Sequence, residues 1–196
     1  MHKIKNKLLF VLGLLATLAS VVGISMAAFT DEGKVLGSTF TVGSADLKFQ
    51  ADLTRGTDPA NLVDQLNGPT FSNIGSTWEG VYLLKLENHG TKKIDVTSYA
   101  DYVTANDPDD LRTYMEVSIY EWNDTDQDGQ LDDGEQNLLL GKKTITKWKT
   151  EGIYVGERNP NQAIPLVIRF TTNNLSETKQ GSNAIFDFNF EATEKN

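Results

Sequence analysis

The fold class of this chain is indicated most clearly by one stretch near its C-terminus, Ala184-Ile185-Phe186-Asp187-Phe188-Asn189-Phe190-Glu191-Ala192. Apolar and polar side chains alternate along it, so that three phenylalanines share one face while Asp187, Asn189 and Glu191 share the other. A period of two is typical of a half-buried β-strand, because successive side chains in a strand point to opposite faces. Burial of each phenylalanine stabilises a fold by about 1.5–3 kcal/mol. We therefore expect this strand to line a hydrophobic core.

Similar patterns upstream predict a fold made mainly of strands. Strict alternation covers residues 45–51. Two shorter inward-facing rows are formed by Met115, Val117 and Ile119 and by Leu166, Ile168 and Phe170. Residues 81–86 are nearly all apolar, which favours a central strand that is buried on both faces.

Helices are expected to be short and few. Asp58-Pro59 provides an N-cap and a first-turn proline for a helix over residues 60–66, and Asp107-Pro108 opens a similar turn through Leu111. Short strands separated by turns are typical of two packed sheets. We therefore predict an all-β, jelly-roll-like β-sandwich with a few short helices, and the spacing leaves the strand order open.

The composition limits the possible partners and chemistry. The chain has 196 residues, a formal net charge of −9 and no cysteine. This acidity argues against nucleic-acid and anionic membrane partners, since both repel a negative surface, and it favours the binding of cations. The absence of cysteine excludes disulfides, thiol catalysis and thiolate metal sites.

Residues 1–27 have the order of a secretory signal peptide. A basic segment with three lysines precedes an apolar stretch over residues 8–24, and Ser25-Met26-Ala27 offers small residues for cleavage after Ala27. The apolar stretch is also near the shortest length that spans a bilayer, so a membrane anchor is the alternative. We expect cleavage and no stable membrane insertion afterwards, which makes the mature protein secreted, in an extracellular matrix or on the cell surface.

The most specific chemical motif is the acidic loop over residues 124–135, which matches the twelve-position EF-hand register with a glycine at position six. The candidate Ca²⁺ ligands stand at positions one, three, five, seven, nine and twelve, namely Asp124, Asp126, Asp128, Gln130, Asp132 and Glu135. Gln130 would contribute its backbone carbonyl. The flanking residues alternate as strands do, so we expect a loop between two strands that holds a structural Ca²⁺. A solvated acidic turn without an ion is the alternative.

The sequence contains no recognisable catalytic motif. Of its two histidines, His2 lies in the leader and His89 lies in the turn Asn88-His89-Gly90, where we expect it to be exposed. There is no His-Glu-x-x-His zinc motif, no nucleophile elbow and no phosphate loop. We therefore expect no catalytic residues and no enzymatic activity. The tyrosines and tryptophans suit the packing of a sandwich, with a carbohydrate-binding platform as the alternative.

The chain resembles the TasA/camelysin family of Gram-positive bacteria in several segments. The leader junction at residues 27–31 and the stretch Ser38-Thr39-Phe40-Thr41-Val42-Gly43-Ser44-Ala45-Asp46-Leu47 carry the most specific similarity. Shorter similarities lie at residues 86–90, in the turn at residues 107–110 and over residues 181–193. The acidic loop departs from this resemblance, since it is not a feature of the whole family.

The resemblance implies a jelly-roll fold, removal of the leader by a signal peptidase of the SipW type, and assembly into extracellular fibres of a biofilm matrix. In such fibres the freed N-terminal segment completes the sheet of the next subunit. This assigns residues 28–42 as a donor strand and residues 43–196 as the jelly-roll domain. The partners are then copies of the same chain in a head-to-tail filament.

Three functions remain in competition at this point. The leading hypothesis is the fibre subunit, which predicts filaments that depend on residues 28–42. A cell-surface metallopeptidase, as the camelysin name suggests, predicts proteolysis that a chelator abolishes, although the sequence lacks a metal-ligand constellation for it. A monomeric adhesin or carbohydrate-binding module predicts a saturable ligand and no filaments.

Overall fold

A computed structural model describes residues 33–35, 37–42 and 47–195. The predicted signal peptide over residues 1–27 and the first part of the predicted donor segment, residues 28–32, lie outside the described residues. In chain order the strands are β1 (Gly33–Val35), β2 (Thr39–Val42), β3 (Leu47–Gln50), β4 (Leu62–Val63), β5 (Gln65–Asn67), β6 (Phe71–Ile74), β7 (Thr77–Asn88), β8 (Ile94–Asp101), β9 (Met115–Trp122), β10 (Gln136–Thr144), β11 (Ile153–Arg158), β12 (Ala163–Asn173), β13 (Asn183–Ala184) and β14 (Asp187–Glu194). The α-helices are α1 (Leu111–Tyr114) and α2 (Ile145–Glu151), and short 3-10 turns lie at Pro59–Asn61, Thr104–Asn106 and Glu177–Lys179.

Two large sheets are packed together, which confirms the predicted all-β sandwich. One sheet has the strand order β10-β9-β12-β7-β3-β4, the other has the order β11-β8-β14-β2-β5, and a small sheet has the order β13-β1-β6. From β7 to β14, each connection between strands of the two large sheets passes from one sheet to the other, except in the β9–β10 hairpin. This alternation is the connectivity of a jelly roll.

The core lies between the two large sheets and is rich in aromatic rings. Phe40 on β2 stacks on Phe188 of β14 and on Tyr82 of β7, with ring centroids 4.8 Å apart in both pairs. Phe49 meets Phe40 edge-on with a centroid separation of 6.5 Å. Such offset and edge-to-face pairs stabilise a core beyond the area that they bury, so Phe40 joins both sheets at the centre of the sandwich.

The N-terminal strands are built into the sheets of their own chain. Strand β2 lies between β14, to which it is parallel, and β5, to which it is antiparallel. Strand β1 is parallel to β13 and antiparallel to β6. Every other strand pair among the described residues is antiparallel. The described part of the predicted donor segment therefore pairs in cis, and it alone introduces parallel pairing.

The alternating rows predicted from the sequence face the core as expected. Their buried members are Leu47, Phe49, Met115, Val117, Ile119, Leu166, Ile168, Phe170, Ala184, Phe186, Phe188 and Phe190. Residues 81–86 do form part of a central strand, β7, which lies between β12 and β3. Burial on both faces holds only for the second half of that stretch, because Val81 is 38% exposed.

The predicted helix over residues 60–66 is wrong. Asp58 does cap the backbone N–H of Ala60 at 3.0 Å, and Pro59 starts a helical turn, but the turn ends at Asn61. Strands β4 and β5 follow at once, because Leu62 and Val63 pair with β3 while β5 pairs with β2. Long-range strand pairing overrides the local helix start. Helix α2, capped by Thr144, was not predicted.

Replacing Phe40 by alanine should destabilise the fold by about 3–5 kcal/mol, the usual cost of emptying a buried phenylalanine site, because Phe40 is fully buried. Urea denaturation measures this change. Val103→Ala is the control, since Val103 is 63% exposed and its loss should change stability by less than about 0.5 kcal/mol. A Phe40→Ala variant as stable as the parent would mean that β2 does not occupy the core in solution.

Candidate metal centre

The acidic loop joins β9 to β10 at one end of the six-stranded sheet, as the sequence predicts for a loop between two strands. Two backbone hydrogen bonds close it, from Asn123 N to Glu135 O at 2.8 Å and from Glu135 N to Asp132 O at 3.2 Å. The loop is therefore anchored at its base by the hairpin and also has a turn of its own.

Gly129 occupies the sixth loop position and has a φ of +74°, in the left-handed region that favours glycine. A Cβ atom there would lie 3.0 Å from Thr54 Cγ2 and 3.1 Å from Leu53 Cβ. The glycine is thus needed twice, for the turn and for the close approach of residues 53–54. The acidic loop packs on a second loop, residues 51–61, which we call the cover loop.

Asp124, Asp126 and Asp128 are brought together by this turn. Each offers a carboxylate oxygen, and the three oxygens all lie within 4.8 Å of one another. Loop hydrogen bonds hold two of these side chains, from Asp128 N to Asp126 Oδ1 at 3.3 Å and from Gln130 N to Asp128 Oδ1 at 2.7 Å. Convergent hard oxygens on a tight turn are what Ca²⁺ requires.

Asp124 differs from the other two acids because its side chain is almost buried. Its carboxylate is 3% exposed, and Oδ2 lies 2.6 Å from Lys85 Nζ. The other oxygen, Oδ1, is buried and has no hydrogen-bond partner among the described residues. A buried acceptor without a partner is costly, so this oxygen has a free position for a cation.

Glu135, the predicted ligand at position twelve, is held by hydrogen bonds within the loop. Its carboxylate accepts hydrogen bonds from Thr125 N at 2.9 Å, from Asp132 N at 3.1 Å and from Trp122 Nε1 at 3.1 Å. These bonds, with the Thr125 and Asp132 backbone N–H groups foremost, lower the pKa of Glu135 to about 2. The ionised Glu135 carboxylate therefore holds the loop in shape through these hydrogen bonds. It does not belong to the triad of Asp124, Asp126 and Asp128.

The two remaining predicted ligands lie at the edge of the triad. The side-chain amide of Gln130 donates to Asp128 Oδ2 at 2.9 Å. The negative charge of Asp128, with burial and the charges of Asp126 and Glu135, raises the pKa of Asp132. Asp132 therefore lies within the field of the other carboxylates, and this mutual repulsion is what a bound cation would relieve.

A cavity of about 270 Å³ adjoins the loop, between the cover loop and the outer face of the six-stranded sheet. Its lining includes Gln50, Leu53, Lys85, Trp122 and Asp124. Sequence reasoning missed Lys85 and Gln50. The lysine carried a usable signal, since it is the only charged residue within the apolar run 81–86.

Other sites offer less to chemistry. His89 is exposed in its turn, as expected. Trp148 is fully buried and Trp122 is 3% exposed, so neither presents an open platform for a sugar ring. Within residues 33–35, 37–42 and 47–195, no helix is long and apolar enough to cross a membrane.

Comparison of the sequence with known proteins gave no match, either to a model of a protein family or to a curated protein.

Glu135→Gln should destabilise the protein at neutral pH, measured in a chelator so that no ion contributes. The folded pKa of Glu135 is lowered to about 2, so its carboxylate contributes stability above the unfolded pKa of about 4.3. That contribution is lost as the pH falls towards 2. The parent and the variant should therefore differ in melting temperature at pH 7 and converge near pH 2. A difference that does not change with pH would contradict the assigned role of the carboxylate.

Proposed function

We propose that the chain, once its leader is removed, is a secreted structural subunit that polymerises into extracellular fibres by exchanging its N-terminal strand. The observation that carries this proposal is the position of β2. This strand fills a place between β14 and β5, and its Phe40 is fully buried at the centre of the core.

Removal of β2 would leave the five-stranded sheet incomplete. If β2 left, β14 would become an open edge, β5 would lose the strand that pairs it to the sheet, and Phe188 and Phe190 would lose the ring of Phe40. Open edges with unpaired backbone groups recruit another strand. The vacancy must therefore be filled by the chain's own β2 or by the same segment of a neighbour.

Exchange between copies keeps every pairing of β2, because the incoming segment has the same sequence. The parallel pairing of β2 with β14 favours such a replacement, since parallel pairs are slightly less stable per residue than antiparallel ones. A donor on one subunit and an acceptor on the next form a head-to-tail contact, which produces a filament when it does not close into a ring. The partners are thus further copies of this chain.

The leader connects this assembly to export. Residues 1–27 immediately precede the proposed donor segment 28–42, so removal of the leader, for which the resemblance suggests a peptidase of the SipW type, would free that segment. Polymerisation would then follow secretion. Strand exchange would also supply the robustness that a cysteine-free extracellular protein cannot obtain from disulfides.

A reversible staple tests strand exchange. Thr41 and Asn189 are partners across the β2–β14 pair, and their side chains are hydrogen-bonded, so the double variant Thr41→Cys, Asn189→Cys places two cysteines within disulfide range. Monomers oxidised before assembly should form no filaments in negative-stain electron microscopy, because β2 is locked in its own sheet. Reduction should restore filaments.

The same double variant has a second readout when it is oxidised after assembly. Exchanged strands would then bridge neighbouring subunits and give a ladder of covalent oligomers on a non-reducing gel. The single variant Thr41→Cys is the control, since oxidation should leave its filaments unchanged. Filaments from the pre-oxidised double variant would show that assembly uses another contact.

We also propose that the acidic loop binds a structural Ca²⁺ through Asp124, Asp126 and Asp128. Two independent observations support this, the convergence of three carboxylate oxygens within 4.8 Å and the buried, unpartnered Oδ1 of Asp124. The bound ion would neutralise repulsion within the loop and stiffen the β9–β10 hairpin.

Asp128→Ala should weaken Ca²⁺ binding and remove most of the Ca²⁺-dependent rise in melting temperature, while the melting temperature in chelator changes little. Calorimetric titration and thermal melts measure both effects. Asp133→Ala is the matched control, because it removes an acid of the same loop outside the triad. Identical melting temperatures of the parent with and without Ca²⁺ would argue against a stabilising ion.

A further inference from the structure

Lys85 places a nearly buried ammonium group directly beside the acidic loop. It stands on β7, on the face of the sheet that points away from the core, and it is 9% exposed. Its Nζ donates to Leu53 O at 2.8 Å and to Asp124 Oδ2 at 2.6 Å, and it lies 4.8 Å from the ring centroid of Trp122. Such a set of contacts holds the charge in one position.

The two oxygens of Asp124 therefore have separate uses. Oδ2 accepts a hydrogen bond from Lys85. Within the part of the chain that the structure describes, Oδ1 has no hydrogen-bond partner, and Asp124 forms a triad with Asp126 and Asp128. A cation in the triad and the ammonium of Lys85 can contact the same carboxylate at the same time. They also repel each other, because both are positive and only this carboxylate separates them.

We propose that Lys85 is a counter-cation of the proposed calcium site, and that its charge lowers the affinity of that site for Ca²⁺. This inference rests on the calcium binding proposed above. One fixed positive charge lowers the net negative charge of the loop, and ligand charge is a main determinant of Ca²⁺ affinity. We therefore expect a weaker Ca²⁺ site than the same carboxylates would form without Lys85.

The ammonium has a second consequence in the absence of Ca²⁺. It keeps the buried carboxylate of Asp124 paired, and a buried charge without a partner is strongly destabilising. Lys85 also holds the cover loop through Leu53 O. The acidic loop and the cover loop thus stay in contact whether or not a divalent ion is bound.

The test is Ca²⁺ titration by calorimetry of the full mature chain and of its Lys85→Met variant, both stripped of metal beforehand. Removing the positive charge should lower the Ca²⁺ dissociation constant about tenfold, the effect of one unit charge a few ångströms from a divalent ion in a solvated site. The melting temperature in chelator should fall, and the rise on adding Ca²⁺ should become larger.

Three further variants separate charge from shape. Lys85→Gln keeps a hydrogen-bond donor without the charge and should also tighten binding, which covers the case that Lys85→Met does not fold. Lys85→Arg keeps the charge and should retain the affinity of the parent. Lys142→Met is the control, since Lys142 pairs at 2.8 Å with Glu116 at the partly exposed surface of the same sheet and its loss should leave the affinity unchanged.

Terbium luminescence excited through tryptophan gives an independent reading, because Trp122 lies beside Lys85 and Asp124. Tb³⁺ should bind more tightly to Lys85→Met and Lys85→Gln than to the parent. If the parent binds Ca²⁺ and these variants bind it equally or more weakly, the proposed role of Lys85 is wrong. The calcium site itself would not be contradicted by that result. Absence of Ca²⁺ and Tb³⁺ binding from the parent and all variants would overturn both.

Discussion

The stacking of Phe40 on Phe188 joins the two ends of the chain, and the five-stranded sheet depends on it. The rings lie 4.8 Å apart on adjacent strands, and Thr39 N adds a hydrogen bond to Asp187 Oδ1 at 3.2 Å. Loss of this contact would separate β5 from the rest of its sheet, because β2 is its partner there. The contact that completes the subunit is therefore the same contact that strand exchange would use between subunits.

Charge is the second constraint on this molecule. The chain carries a formal charge of −9, and six carboxylates of the acidic loop fall within twelve residues. The fold limits their repulsion in two ways, since backbone N–H groups hold Glu135 as an anion and Lys85 is paired with Asp124. A divalent ion would complete this neutralisation rather than begin it. The acidic loop can therefore keep its shape before an ion arrives.

The sequence pattern within a segment was sufficient to predict features that depend on that segment alone. The alternation around Phe188 and Ile168 identified core-facing strands, and the spacing of the loop acids predicted the grouping of Asp124, Asp126 and Asp128. The pattern was insufficient where the interacting strands or side chains lie far apart in the sequence. Pairing with β3 and β2 replaced the helix expected over residues 60–66, and Lys85 meets Asp124 across 39 residues of sequence. The hydrogen bonds of Glu135 likewise required the closed geometry of the loop.

The proposed calcium site and the strand proposed to exchange are separate in the fold, although one chain segment touches both. The cover loop is held by Asn61, whose Nδ2 donates to Asp52 O and Gly56 O at 2.8 Å, and it continues into β4 and β5. Strand β5 then pairs with β2. Among the described residues of segment 28–42, none lines the cavity or belongs to the acidic triad, so exchange of β2 would leave the proposed site intact. In the proposed assembly, a subunit would therefore keep an ion at Asp124 while a neighbour's Phe40 completed its core.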